Sequence, residues 1–173
     1  MKAHQLNRQE SNIAPIEREI KHLVEDAAGA LNNATDARHI QQGYIYQSGL
    51  GIARIRVTDN THAAFTVKWP TRNQKHEGDR HEQEFEIDLA FGVEMLNSCT
   101  ETVTKTRWTV THDSNIWEVD AFEGNLKGLI LAECETETPY IISIPSWIGE
   151  DVTGDARYRN ENLSRSQQIP SPS

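Results

Sequence analysis

Glu17-Arg18-Glu19-Ile20-Lys21-His22-Leu23-Val24 sets charged side chains at alternate positions 17, 19 and 21, with Ile20 in the opposite phase. Successive side chains of a β-strand point to opposite faces, so the three charges share one face and Ile20 takes the other. The arrangement recurs: Arg54/Arg56 around Ile55, Glu84/Glu86 around Phe85, Lys105/Arg107, Glu118/Asp120 around Val119, and Glu133/Glu135 around Cys134. An ordinary half-buried strand turns its apolar phase to the core and a mixed polar phase to water. Six like-charged pairs reverse that expectation, because like charges set across from one another repel unless something binds between them. The charged phase is therefore read as the inner face of the sheet, enclosing a charged ligand.

At 173 residues the chain is read as one domain, large enough to bury a core without disulfides or structural metal. Its net charge of −9 and pI near 5.2 argue against nucleic acid or an anionic membrane as the partner, since both call for a basic surface. A small anion remains compatible if the basic residues are concentrated inside. Cys99 and Cys134 fit no CxxC spacing and read as free thiols of a reducing compartment. No apolar run approaches the roughly 18 residues of a membrane span, and no secretion leader is evident. The expectation is a cytoplasmic protein.

Residues 1–14 are polar and unpatterned, and 164–173 are rich in Ser, Gln and Pro, so both are expected to lie outside the fold, leaving 15–163 as the domain. Strand-like runs fall at 16–24, 42–47, 52–58, 63–69, 82–88, 102–110, 115–121 and 128–135. Ser48-Gly49-Leu50-Gly51, Asp59-Asn60 and His112-Asp113-Ser114-Asn115 read as hairpin turns. Short helices are expected at 25–33 and 89–96, the second with Leu89, Val93 and Leu96 on one side. The resulting class is mainly β, an α+β fold: a closed eight-stranded antiparallel barrel with a charged lumen and helices packed outside, closure removing exposed edges. The outward apolar phase needs covering by helices, loops or a second copy, which leaves a homodimer open. Trp69, Trp108, Trp117 and Trp147 are candidates for that outer core.

The acidic group on the inner phase is Glu17, Glu19, Asp120, Glu133 and Glu135, with Glu118 on the same phase as Asp120. Carboxylates in such numbers suit a hard divalent cation, Mg²⁺ or Mn²⁺, which shares its sphere with waters and substrate phosphate. The basic group is Lys21, Arg54, Arg56, Lys68, Lys105 and Arg107. Arginine matches phosphate oxygens bidentately and lysine acts as a mobile point charge, so together they suit a polyphosphate chain. His22 lies opposite in phase to Lys21 and is read as an outward-facing or interface residue; Tyr44 is read as a wall residue with a satisfied hydroxyl in preference to one that positions substrate, and 147–155 as an ordered closing loop.

The stretch 17–24 resembles the ExExK motif, with its Leu-Val tail, of the CYTH superfamily, the triphosphate tunnel metalloenzymes. The resemblance continues in order through Gln42-Gly43-Tyr44-Ile45, Arg54-Ile55-Arg56, Thr66-Val67-Lys68, Glu84-Phe85-Glu86, Lys105-Thr106-Arg107-Trp108, Trp117-Glu118-Val119-Asp120 and Ala132-Glu133-Cys134-Glu135. It ends in Trp147-Ile148-Gly149-Glu150-Asp151-Val152-Thr153-Gly154-Asp155 and Arg157-Tyr158. It implies an eight-stranded tunnel that binds a triphosphate group and requires a divalent metal. By that resemblance the metal falls to Glu17, Glu19, Asp120, Glu133 and Glu135. The catalytic phosphate contacts fall to Lys21, Arg54, Arg56, Lys68, Lys105 and Arg107.

The compact form with QGY and the Trp-Ile-Gly ending is similar to the small bacterial inorganic tripolyphosphatases, implying hydrolysis of inorganic triphosphate to pyrophosphate and phosphate. The alternatives are a nucleoside or thiamine triphosphate hydrolase, a class IV-type adenylyl cyclase, or a noncatalytic polyphosphate- or nucleotide-binding protein. Gln41 departs from the arginine that many such members carry before QGY, at a place expected to be the tunnel mouth.

Overall fold

The computed structural model describes residues 16–17, 19–71, 80–135 and 142–171, with 16 and 17 described by their backbone. Among these residues, ten strands are hydrogen-bonded into one antiparallel sheet: β1 Ile16–Glu17, β2 Glu19–Val24, β3 Ala34–Ser48, β4 Gly51–Thr58, β5 His62–Pro70, β6 Arg80–Ile87, β7 Thr102–His112, β8 Asn115–Phe122, β9 Ile130–Glu135 and β10 Ile148–Asp151. The α-helices among the described residues, α1 Ala27–Leu31, α2 Leu89–Asn97 and α3 Asn160–Ser166, are short and accompany it. The strand order is β1-β6-β5-β4-β3-β7-β8-β9-β2-β10, with β1 and β10 at the ends, in place of the closed eight-stranded barrel expected from sequence. The count differs because the first expected strand is divided. Its two parts pair with different neighbours, Glu17 opposite Arg80 on β6 and Glu19 opposite Glu135 on β9, and β10 then adds to β2.

Two further differences have clear causes. Residues 34–41, left without an element between the helix expected at 25–33 and the strand expected at 42–47, belong to β3. Thr35, Asp36 and Arg38 are exposed and show no apolar alternation, but their stretch of backbone pairs with β7 from Ala34 opposite Val110 to Ile40 opposite Lys105. Pairing with an existing strand supplies what side-chain patterning does not. The boundary expected after Leu163 falls inside α3, where Leu163 and Ser164 are buried, and Gln167 Nε2 donates to the Thr102 carbonyl at 2.9 Å.

The sheet has an apolar outer face, covered in two places. Under α2, Ile55, Val57 and Ala63 pack with Leu96, Phe65 and Leu89. Gly92 permits this approach: a Cβ there would lie 2.4 Å from the Ala63 Cβ. Under α1 and the segment before β10, Trp117, Val119, Val110, Ala132 and Cys134 pack with Ala30 and Trp147, and Trp108 is half-buried beside them. Trp117 and Trp147 meet edge-on, and Trp117 is fully buried, whereas Trp69 stacks on His81 away from these clusters. Among the described residues, no helix is long and apolar enough to cross a membrane.

Candidate active site

Cross-strand register decides which side chains share a face, because directly opposed residues of an antiparallel pair point to the same side. Arg54 stands opposite Tyr44 and Thr66, and Arg56 opposite Gln42 and Ala64. Lys68 stands opposite Glu82, and Thr66 opposite Glu84. Across the sheet, Arg107 faces Asp120, Glu118 faces Glu133, Glu133 faces Lys21, and Glu19 faces Glu135. Each of these pairs alternates with the apolar outer residues, so the charged phase forms the other face. The Glu17 side chain lies outside the described residues.

Acids and bases are interleaved there, where the sequence reading separates them into a metal group and a phosphate group. Arg107 donates to Asp120 at 2.6 and 2.7 Å, to Glu133 at 2.9 Å, and also to Glu118. Lys105 donates to Asp120 as well, and Lys21 lies 2.9 Å from Glu133 and 3.1 Å from Glu19. Asp120 and Lys105 have almost no solvent exposure, and Lys21 and Glu133 are also buried. Buried charges must be paired or pay a desolvation cost of several kcal/mol each, so the carboxylates close on whatever cations the same face offers. Among the described residues, no three carboxylate, His or Cys side chains form a metal-holding group; cations bridge the carboxylates.

The field of this cluster moves its titrations. Burial works against charge on Glu133, but Lys21, Lys105 and Arg107 outweigh it and hold its carboxyl well below the usual range. Burial likewise opposes the charges on Lys21 and Arg107, and their carboxylate neighbours overcome it. Burial, with Arg107 nearby, pushes Lys105 down to about 8 in spite of Asp120.

The second cluster is richer in cations. Arg54 Nη2 donates to Glu82 at 3.2 Å and lies 3.8 Å from Glu84, Lys68 is 3.0 Å from Glu82, and Arg56 is 4.0 Å from Glu84. Thr66 donates to Glu84 at 2.8 Å. Arg56 Nε donates to the Gln42 side chain at 3.2 Å, whose amide in turn donates to the Tyr44 hydroxyl at 3.3 Å. Arg54 and then burial lower Arg56 to about 10, which leaves it charged at neutral pH. Among the described residues, the Arg54 Nε is buried without a hydrogen-bond partner, a donor available to an anion.

One end of this face is apolar. Tyr44, Ile52, Val103, Phe122 and Leu131, all in register with the charged phase, pack against Val152, Tyr158 and Leu163 of the C-terminal segment. That segment also fixes the ExExK strand, since Thr153 Oγ1 accepts from the Lys21 amide at 2.9 Å and Val152 N donates to the Lys21 carbonyl at 2.9 Å.

The six expected cations thus lie on one face with Glu19, Asp120, Glu133 and Glu135; Glu135, at the end of β9, is exposed. His22 lies on the other face, buried beside Trp117, and Tyr44 is a buried wall residue as expected. Residues 147–155 form β10 and a turn instead of a loop. Gln41 opposes Val57, which is buried under α2, so it stands on the outer face and not at a mouth. Gln42, Thr66, Glu82 and Arg80 belong to the inner phase and received no role from sequence. Alternation through Arg80, Glu82, Glu84 and Glu86 is the signal that extends the pair at 84 and 86.

No protein-family model matches the chain. It is 36% identical over 126 residues to an inorganic triphosphatase of Acetivibrio thermocellus, covering 71% of this chain and 78% of that protein. An inorganic triphosphatase of Nitrosomonas europaea is 38% identical over 99 residues, covering 53% and 66%. A crystal structure of an inorganic triphosphatase superposes with a TM-score of 0.63 at 28% identity, over 90% of this chain and 97% of the other. With the charge motifs in order along the strands and this degree of relatedness, the chain belongs to the inorganic triphosphatases of the CYTH superfamily, the triphosphate tunnel metalloenzymes.

Proposed function

We propose that this chain hydrolyses inorganic triphosphate to pyrophosphate and phosphate, with Mg²⁺ or Mn²⁺, in a tunnel walled by the charged face of the sheet. The observation that carries the reading is the single face on which Lys21, Arg54, Arg56, Lys68, Lys105 and Arg107 are held against carboxylates in a largely buried lattice. A closed wall is supported by the ends of the sheet. β1 and β2 are one residue apart in the chain, yet they pair with β6 and β9, near opposite ends of the strand order. A sheet wrapped so that these ends meet satisfies both pairings.

The donor set fits a hard cation, since every candidate ligand is a carboxylate. Glu19, Asp120 and Glu133 are already linked through Lys21 and Arg107, and Glu135 faces Glu19. With Glu17 they would hold the metal in place of those bridging cations. The bound metal would supply Lewis-acid polarisation and an acidified water.

The chain's own residues do the rest. Freed from carboxylates, Lys21, Lys105 and Arg107 turn to the phosphate oxygens, joining Arg54, Arg56 and Lys68. Gln42 holds Arg56 from behind. Charge spread over the transferring phosphoryl group is offset by these fixed cations, and positioning supplies most of the catalysis, so no Ser or Cys nucleophile is needed. Cys134 lies in the outer core, and Cys99 is likewise unpaired, in keeping with a cytoplasmic protein. The partner is a triphosphate-containing small molecule, not nucleic acid or a membrane; a homodimer remains an expectation for a mass measurement in solution.

The test is incubation of the pure protein with tripolyphosphate, ATP and thiamine triphosphate in Mg²⁺ or Mn²⁺. Pyrophosphate and phosphate from tripolyphosphate, faster than any release from ATP and abolished by chelator, are expected. Cyclic AMP from ATP would replace the hydrolase with a cyclase, and saturable binding without turnover would make the protein a polyphosphate sensor.

A further inference from the structure

The C-terminal helix contributes a carboxylate to the charged face that no motif marks. Arg80 stands on the same phase as Glu82 and Glu84, opposite Pro70 on β5 and opposite Glu17 on β1. Its Nη1 lies 2.9 Å from Glu161 Oε1 of α3, and both side chains are largely buried. Arg80 and then Lys21 draw the Glu161 carboxyl below its ordinary range against the effect of burial, and Glu161 in turn acts on the Tyr44 hydroxyl. Glu161 therefore sits within electrostatic reach of three inner-face side chains. Leu163, two residues on, packs in the apolar cluster that closes the same end of the face.

We infer that Glu161 is a chain-length determinant, a fixed negative charge that keeps the inner end of the phosphate row, at Arg80, from accepting a further phosphoryl group. The inference rests on the triphosphate reading. A linear polyphosphate with one more group than tripolyphosphate carries more negative charge toward this end, and like charges brought together in a desolvated site cost several kcal/mol. With Glu161 neutral, that repulsion is removed.

The experiment compares tripolyphosphate with tetrapolyphosphate in wild type, Glu161→Gln and the double variant Arg80→Gln/Glu161→Gln. Two readouts are used: kcat/KM with Mg²⁺, and the melting-temperature rise produced by each polyphosphate with Ca²⁺. Glu161→Gln should raise the tetrapolyphosphate to tripolyphosphate ratio about tenfold, the scale of one charged contact, mainly through KM. The double variant should return the ratio toward wild type, because a positive charge at this end is lost together with the negative one. Unchanged ratios in both variants, with only a lower melting temperature, would reduce the pair to a brace for α3 and overturn the inference. Wild-type protein that turns over no tripolyphosphate would sink the triphosphatase reading by itself; the ratio of melting shifts then still decides the role of Glu161.

Discussion

Removing the Arg107 guanidinium should be the most damaging single change to the charged lattice. Asp120 is fully buried, and two of its three described bonds come from Arg107, at 2.6 and 2.7 Å; the third is from Lys105. Glu133 also loses its 2.9 Å bond and keeps Lys21. Breaking a buried charge network by deleting one partner costs about 3–5 kcal/mol, since the stranded carboxylates stay out of water. Arg107→Met retains most of the side-chain volume, so the loss reports charge more than cavity. For a domain of this size the melting temperature should fall by roughly 6–20 °C. Urea unfolding in chelator, followed by the fluorescence of buried Trp117 and Trp147, measures it directly. Adding Asp120→Asn should recover a large part of the loss, a coupling expected only between residues in one network. A saturating divalent metal should stabilise Arg107→Met more than wild type, because its carboxylates have lost a cation. A cost below about 1 kcal/mol would mean that water solvates Asp120 and Glu133, and the reasoning from a dry lattice would be wrong.

Glu19→Gln keeps the shape of a proposed metal ligand and removes its charge; kcat should drop while the unfolding midpoint stays near wild type, and full activity would take Glu19 out of the metal set. Arg56→Ala should raise the KM for tripolyphosphate by about tenfold or more, with a further loss in kcat if the contact tightens in the transition state, as initial-rate kinetics will report. A nonhydrolysable triphosphate analogue with Ca²⁺ at about 100 times Kd should stabilise the protein by roughly 2.7 kcal/mol, seen as a melting rise of about 5–10 °C that needs both components. Gly92→Ala places a methyl against Ala63 and should cost about 1–3 kcal/mol in chemical denaturation through displacement of α2, with KM unaltered; an unchanged midpoint would show that the helix moves away freely.

Much of the site was legible because β-structure has a period of two. Charged pairs at 19/21, 54/56, 105/107, 118/120 and 133/135 each name a face without any tertiary knowledge, and the ordered motifs name the family. Helix α2 was equally readable from the spacing of Leu89, Val93 and Leu96. The sequence also marks Trp117 and Val119 as the outward phase of the strand that carries Glu118 and Asp120.

Pairing and partnership were not legible. Residues 34–38 lack apolar alternation and become strand because β7 offers backbone partners, and nothing local to 16–24 says that its two parts bind different neighbours. Alternation gives Lys105, Arg107 and Asp120 their face but cannot say that acids and bases will interleave, since that depends on which strands lie side by side. Glu161 illustrates the limit best. It sits in a polar stretch of Asn, Glu and Ser with little pattern, and only the return of the C-terminal chain to the apolar end of the sheet brings it to Arg80, 81 residues earlier. A strand's own period fixes the direction of each side chain, whereas long-range contacts are chosen by the energy of the whole packed chain.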